Sequence, residues 1–493
     1  YVKLCREHTG IRMYFEACAL PAVLKTGTVR MINFSGVDFI FRFLPVFLIL
    51  YSLIPPKYRD ILLFAGSIFF YASGARLFVF VLLGLVVINY LFGELVYVQP
   101  GRPRRASHKK MMFTVILIDV GILILFKMLA LRVSASLLPL GLSFYIFKML
   151  SYQADLFRGE INKRPSFFQA AAYFTMFPQI SQGPIMRFSQ GWTEKPSNIR
   201  RQFAFVQRTV PLHKIEDGIT FFIMGLAMKV LIADRLGMLW NEIIKIGFES
   251  ISTPLAWIGA AGYSLELYFD FWGYSLMAGG LGLMLGFRYI HNFIHPYAAC
   301  GIADFYRRWH ATLGSWFRDY VYIPLGGSRD GAASTIRNLV IVWLLTGFWH
   351  GGTLNFILWG AVLCLLIILE KFVAGGLIRK IPVIGHLLVI FFIPLTWVIF
   401  AITDLKELGV YFTRLFPFFG PGTAVNSSDY LKYLEIYWPF LAVGILLCIP
   451  VFYNLLVWKR RNPVVIALLF IVFWISVYFS SISAGNPFMY FSF

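Results

Sequence analysis

Two histidines stand where imidazole chemistry would be useful. His310 lies in the run DFYRRWHATLGSWFRD (304–319), directly after Arg307, Arg308 and Trp309. His350 lies in TGFWHGGT (346–353), within a long apolar stretch. Imidazole titrates near neutral pH, so it can act as a general base or as a nucleophile without extreme tuning. Polar groups inside apolar segments are costly, so those that persist mark functional positions.

Read as one helix, 304–319 places Phe305, Trp309, Leu313 and Trp316 on an apolar stripe. Tyr306, Arg307, His310 and Gly314 form the adjoining face, with Gly314 leaving room beside the imidazole. Asp304 can pair with Arg307 or Arg308 at i+3 and i+4, and nearby guanidinium opposes protonation of His310. Read as a helix, 346–353 lines Thr346, His350 and Thr353 along one face. Its glycines permit close packing or close approach of a substrate. Taken alone, His310 reads equally well as a buried structural residue. Glu266 and Asp270 read first as structural partners of Arg288 or Arg307, and second as groups that orient a histidine.

Other chemistries find little support. There is no H-E-x-x-H, no Cys/His cluster, no G-x-S-x-G elbow, no P-loop and no dinucleotide fingerprint. The expectation is therefore no metal and no bound cofactor. The five cysteines contain no C-x-x-C pair and suggest neither a disulfide framework nor a zinc site. Leu325-Gly-Gly-Ser-Arg329 can offer backbone N–H groups to a phosphate, and is equally well explained as a glycine turn.

The elements that must hold these residues are membrane helices. Of 493 residues, 59% are hydrophobic and only 14% charged, which excludes an ordinary soluble enzyme, a coiled coil and a disordered chain. The formal charge of +20 reads as membrane orientation rather than nucleic-acid binding, because Lys and Arg collect in cytoplasmic loops. Clusters at 102–110, 187–214 and 459–461 are expected to be cytoplasmic. Twelve apolar runs predict roughly 10–12 spans plus short buried helices. The run 167–180 is short and is expected to be re-entrant or buried. The run 336–369 is too long for one span and should break near 347–352. Residues 1–30 differ in pattern and read as an atypical leader or an over-extended gene start, with Met31 opening a single domain over 31–493.

Two strings carry a more specific message. DFYRRWHATLGSWFRDYVYIPLGG and TGFWHGGTLNFILWG resemble the membrane-bound O-acyltransferase (MBOAT) family, and within it the branch that O-acetylates alginate. Supporting segments occur at 138–159, 177–188, 229–236, 267–275 and 280–297, and in the terminal NPFMYFSF. Trp272 and Leu276 depart from the branch, which usually has a small residue and an Asp there. The resemblance implies an all-α, multi-pass membrane protein, with buried and re-entrant helices ringed around a central channel. It implies an enzyme that takes acetyl from a cytoplasmic thioester, acetyl-CoA as co-substrate, across the bacterial cytoplasmic membrane to a surface polysaccharide such as alginate. An extracytoplasmic SGNH-type acetyltransferase is the implied partner, beside membrane lipid and the polysaccharide acceptor, with no nucleic acid. His350 matches the catalytic histidine and His310 the second functional histidine. Arg307, Arg308, Trp309, Arg318, Asp319, Thr346, Trp349 and Asn355 are expected around the donor or substrate. D-alanyl or other acyl transfer to an envelope polymer remains an alternative, as does a non-catalytic transporter or scaffold for a secreted acetyltransferase.

Overall fold

The computed structural model describes residues 33–99, 101–161, 163–188, 210–419 and 426–482. The expected start at Met31, the character of residues 1–30, four of the basic residues between 195 and 208, and the terminal NPFMYFSF lie outside them. Among the described residues the chain is helical and forms no strand. It is an all-α, multi-pass membrane protein.

Among the described residues, eight helices are long and apolar enough to cross a bilayer, against roughly 10–12 spans expected for the chain. The difference has a geometric cause. A crossing needs about 20 residues at 1.5 Å each, whereas several apolar runs fold as shorter pieces, including Leu44–Leu53, Phe167–Thr175 and Pro450–Trp458. The expected burial of the 167–180 run is found, since Ala170 to Thr175 are all shielded. Serine and glutamine box that helix at its start, with Ser166 and Gln169 bonding each other's backbone N–H.

The helix Thr253–Met284 runs through the centre, with nearly every residue from Gly259 onward buried. Lipid offers no apolar driving force for helix association, so close packing must supply it. Two glycine pairs do so against Leu212–Ala227. A Cβ on Gly225 would lie 2.3 Å from the Gly273 carbonyl oxygen, and one on Gly280 would lie 2.4 Å from that of Gly218. Gly218/Gly225 and Gly273/Gly280 share a seven-residue spacing, which keeps each pair on one helix face.

Polar ties lock the same interface. Lys229, in the π-helical turn Met228–Ala233, bonds Asp270 at 2.6 Å and Asp234 at 2.8 Å, and is almost fully buried. Asp270 therefore has a structural partner, but it is neither Arg288 nor Arg307 as expected. Arg307 is 75% exposed and pairs with Asp304 instead.

The segment 304–319 is not one helix. It comprises Ile302–Arg308, a break at Trp309 and His310, Ala311–Phe317, and a π-helical turn Arg318–Tyr322. The long run 336–369 breaks where expected, between Gly331–His350 and Leu354–Leu369.

Replacing Lys229 by Met should strand the buried Asp270 carboxylate and the partly buried Asp234. Removing one partner of a buried ion pair costs about 3–5 kcal/mol, so the thermal midpoint in detergent should fall by many degrees. An unchanged midpoint would remove the triad from the account of stability.

Candidate active site

His310 is placed by the break. Trp309 is extended and His310 adopts φ 45°, ψ 50°, a left-handed conformation that a non-glycine residue rarely holds. Such strain costs about 1–3 kcal/mol and persists only where the surroundings impose it. The neighbouring strand-like loop imposes it here. The Asn292 carbonyl accepts from the N–H of Ala311 at 2.8 Å, and Ile294 donates to the Arg308 carbonyl at 3.0 Å.

The Asn292 side chain then fixes the imidazole. The Ile185 N–H donates to Thr312 Oγ1 at 2.9 Å, so the Thr312 hydroxyl must donate onward, to Asn292 Oδ1 at 2.7 Å. Asn292 Nδ2 donates to Ser275 Oγ at 2.9 Å. Oδ1 is thus an acceptor, and the His310 Nδ1 at 2.9 Å from it carries the proton. Nε2 is left with its lone pair, and this buried atom has no hydrogen-bond partner among the described residues. Phe271 meets the ring edge-on at 4.7 Å. The guanidinium groups expected to bear on His310 are occupied elsewhere. Arg307 and Arg308 pair with Asp304 at 3.2 and 2.9 Å.

His350 is the last residue of Gly331–His350. The chain turns back at once, which demands glycine. A Cβ on Gly351 would sit 2.3 Å from the Phe356 ring, and one on Gly352 2.0 Å from Leu131. Gly347 and Gly360 let the two helices touch, each Cβ position being 2.6 Å from a backbone carbonyl oxygen of the other helix. The expected Thr346–His350–Thr353 face does not form, because Thr353 lies beyond the helix end and opens Leu354–Leu369. Trp359 and Phe400 present their edges to the His350 ring at 5.0 and 5.1 Å.

Two cavities meet at this imidazole. One, of about 430 Å³, is lined by Tyr306, Arg307, Trp309, His310, Gly314, Arg318, Thr346 and His350. The other, of about 390 Å³, is lined by Lys127, Ser181, Trp349, His350, Gly351 and Thr353 among others. Among the described residues, His350 alone lines both. The room expected beside Gly314 is real, since Gly314 lines the first cavity with His310.

The remaining expected residues divide. Arg307, Trp309, Arg318 and Thr346 line the first cavity and Trp349 the second. Arg308 lines neither and pairs with Asp304. Asp319 bonds Arg318 at 2.6 Å and pairs with Arg187. Partial burial pushes its carboxyl up, but the Arg318 hydrogen bond and the Arg187 charge prevail and hold it below the usual range. Asn355 ties the turn to the helix Pro382–Ala401, donating to the carbonyls of Phe400 at 3.0 Å and Ile399 at 3.3 Å. Among the described residues no cluster of His, Cys, Asp and Glu could hold a metal ion.

Sequence reasoning passed over Asn292, Thr312, Ser275 and Lys127. Asn292 stands inside HNF, where His291 draws attention, and only its pairing across the fold reveals its role. Lys127 falls just past the apolar run ending at Phe126, so it reads as a flank, yet the helix Ala106–Arg132 continues through it.

A buried imidazole shared by two cavities, within a bundle of membrane helices, is a candidate group-transfer site in an integral membrane protein. The chain belongs to the membrane-bound O-acyltransferase family, whose model matches residues 122–405, both histidines included. It is an acyltransferase of the alginate O-acetylation branch. It is 36% identical over 405 residues to the probable alginate O-acetylase AlgI of Pseudomonas syringae pv. tomato, covering 78% of this chain and 75% of that one. A peptidoglycan O-acetyltransferase of Helicobacter pylori is 29% identical over 440 residues, 79% of this chain and 80% of that one. A teichoic acid D-alanyltransferase of Bacillus subtilis is 28% identical over 236 residues, 45% of this chain and 56% of that one.

Asn292→Ala should leave His310 Nδ1–H and the Thr312 hydroxyl without their acceptor. Stranding buried polar groups costs about 1–3 kcal/mol. If that appears in the barrier, kcat should drop roughly ten- to a hundredfold with the protein still folded. Wild-type kcat in a folded Asn292→Ala protein would detach the relay from catalysis.

Proposed function

We propose that this enzyme moves acetyl from acetyl-CoA, on the cytoplasmic side of a bacterial plasma membrane, to a hydroxyl on the outer side for O-acetylation of a cell-surface polysaccharide. The observation that carries the proposal is the single imidazole, His350, in the wall of both cavities. A donor in one cavity and an acceptor in the other would meet only there.

The side of the bundle to which each cavity belongs follows from the residues tied to it. Arg104, in the basic cluster 102–110, donates to the carbonyls of Phe157 and Arg158, and Arg158 donates to that of Asp319. The cavity bearing Arg318 is therefore on the side of that cluster. Lys127 sits about 30 Å further along Ala106–Arg132 at 1.5 Å per residue, and the second cavity is at its level. Basic clusters favour the cytoplasm, which supports reading the Arg307/Arg318 cavity as that of the donor. Its guanidinium groups suit the phosphates of CoA.

The chemistry follows. His350 takes the proton of the acceptor hydroxyl while its oxygen bonds to the acyl carbon. The C–S bond breaks, and the thiolate receives that proton to leave as the CoA thiol. His310 lines the same cavity and its Nε2 has no partner among the described residues, so it would orient the thioester arm by accepting a hydrogen bond from its amide. The relatives' polymers support an envelope polysaccharide as final acceptor, reached directly or through an SGNH-type partner outside the membrane.

His350→Ala should abolish transfer of label from [¹⁴C]acetyl-CoA to polymer while the protein remains in the membrane at normal level. Undiminished transfer by that variant would end the proposal.

A further inference from the structure

The second cavity holds a charge that the two histidines do not account for. Lys127 is only 8% exposed and lines this cavity with His350. Its ammonium donates to the carbonyl of Trp349, the residue before His350. Among the described residues, no carboxylate pairs with it, and no acidic residue lines the cavity. The contrast with Lys229 is direct, since that equally buried lysine has two aspartates.

Burying an ammonium carries a penalty of several kcal/mol unless a counter-charge is supplied. One backbone carbonyl satisfies one of three N–H donors and none of the charge. A membrane helix that keeps such a group, turned toward a cavity rather than toward lipid, is built to receive negative charge there. The anchoring bond also fixes where that charge is met. It ties the ammonium to the end of Gly331–His350, beside the imidazole and across from the donor cavity.

We propose that Lys127 is a further catalytic residue, stabilising the oxyanion formed on the acyl carbonyl as the acceptor attacks. The inference rests on the acyl-transfer reading of His350. As the acceptor oxygen bonds to the acyl carbon, the carbonyl π pair moves onto its oxygen and the hydroxyl proton passes to His350. The ammonium faces that oxygen until the C–S bond breaks, the C=O double bond re-forms and the thiolate takes the proton. The charge on Lys127 is unchanged throughout, so the group acts by preorganised electrostatics.

The competing role is structural, a cation closing the C-terminus of a helix. Lys127→Gln separates the two, because its amide can still donate to the Trp349 carbonyl but carries no charge. Lys127→Gln, Lys127→Arg, Lys127→Met and His350→Ala should be assayed as full-length protein in membrane vesicles, with acetyl-CoA and a soluble oligouronate as acceptor. The expected result is a fall in kcat of roughly 10²–10³ for Lys127→Gln, with both KM values and the thermal midpoint near wild type. Lys127→Arg should recover most of the rate. Wild-type kcat in Lys127→Gln, with a lowered midpoint in Lys127→Met, would make Lys127 a helix cap and overturn the proposal. A rise confined to the acceptor KM would assign the ammonium to an acceptor carboxylate and overturn it equally. If Lys127→Gln is fully active while His350→Ala is dead, only the Lys127 assignment fails. If both are fully active, the acyl-transfer reading fails with it.

Discussion

Close backbone approach, permitted by glycine, is the constraint on which this structure turns. Helices in lipid gain little by burying apolar side chains against each other, because the tails are equally apolar. Contact must come from shape. Gly225 against Gly273 and Gly218 against Gly280 seat the central helix. Gly347 against the following helix, with Gly351 and Gly352 at the turn, seats His350. The first set also places the other imidazole, since the central helix supplies Ser275 to the Asn292 relay and Phe271 to the His310 ring. A bulkier residue at any of these positions would part surfaces that hold both imidazoles.

Within that frame, each buried charge is handled differently, and the differences separate scaffold from site. Lys229 is closed off by two aspartates and belongs to the scaffold. Arg307 and Arg318 are each paired with an aspartate yet border the cavity that His310 lines, so they can guide an anion without holding it irreversibly. His310 has one nitrogen committed and the other unpartnered. Full satisfaction marks a group that holds elements together. Partial satisfaction beside a cavity marks a group that waits for a ligand.

The sequence makes the membrane character, the helical class, the break after His350 and both histidines legible. Composition reports burial in lipid, and a histidine amid Thr, Gly and Trp stands out against an apolar run. Its limits have physical causes. The continuous stripe Phe305, Trp309, Leu313, Trp316 suggests one helix, because helical periodicity on both sides of a two-residue break looks unbroken. The left-handed His310 is imposed by Asn292 from another part of the chain, and no local pattern encodes that. Likewise Asp270 finds Lys229 rather than an arginine, since partners on packed helices are set by the glycine contacts and not by separation along the chain.

A single imidazole between two cavities also explains why the site is so thoroughly aromatic. On the proposed reading an acyl group passes the level of His350, whereas water and ions should not, or the thioester would be hydrolysed and the membrane would leak. Trp349, Trp359 and Phe400 pack around the ring at centroid distances of 4.5 to 5.1 Å. Excluding water lowers the local dielectric, and that strengthens every fixed charge and dipole facing the reacting carbonyl. The seal and the catalytic power are then one property of the same packing. Opening the aromatic wall would weaken the chemistry as well as the barrier, and the two losses should not be separable by substitution at these rings.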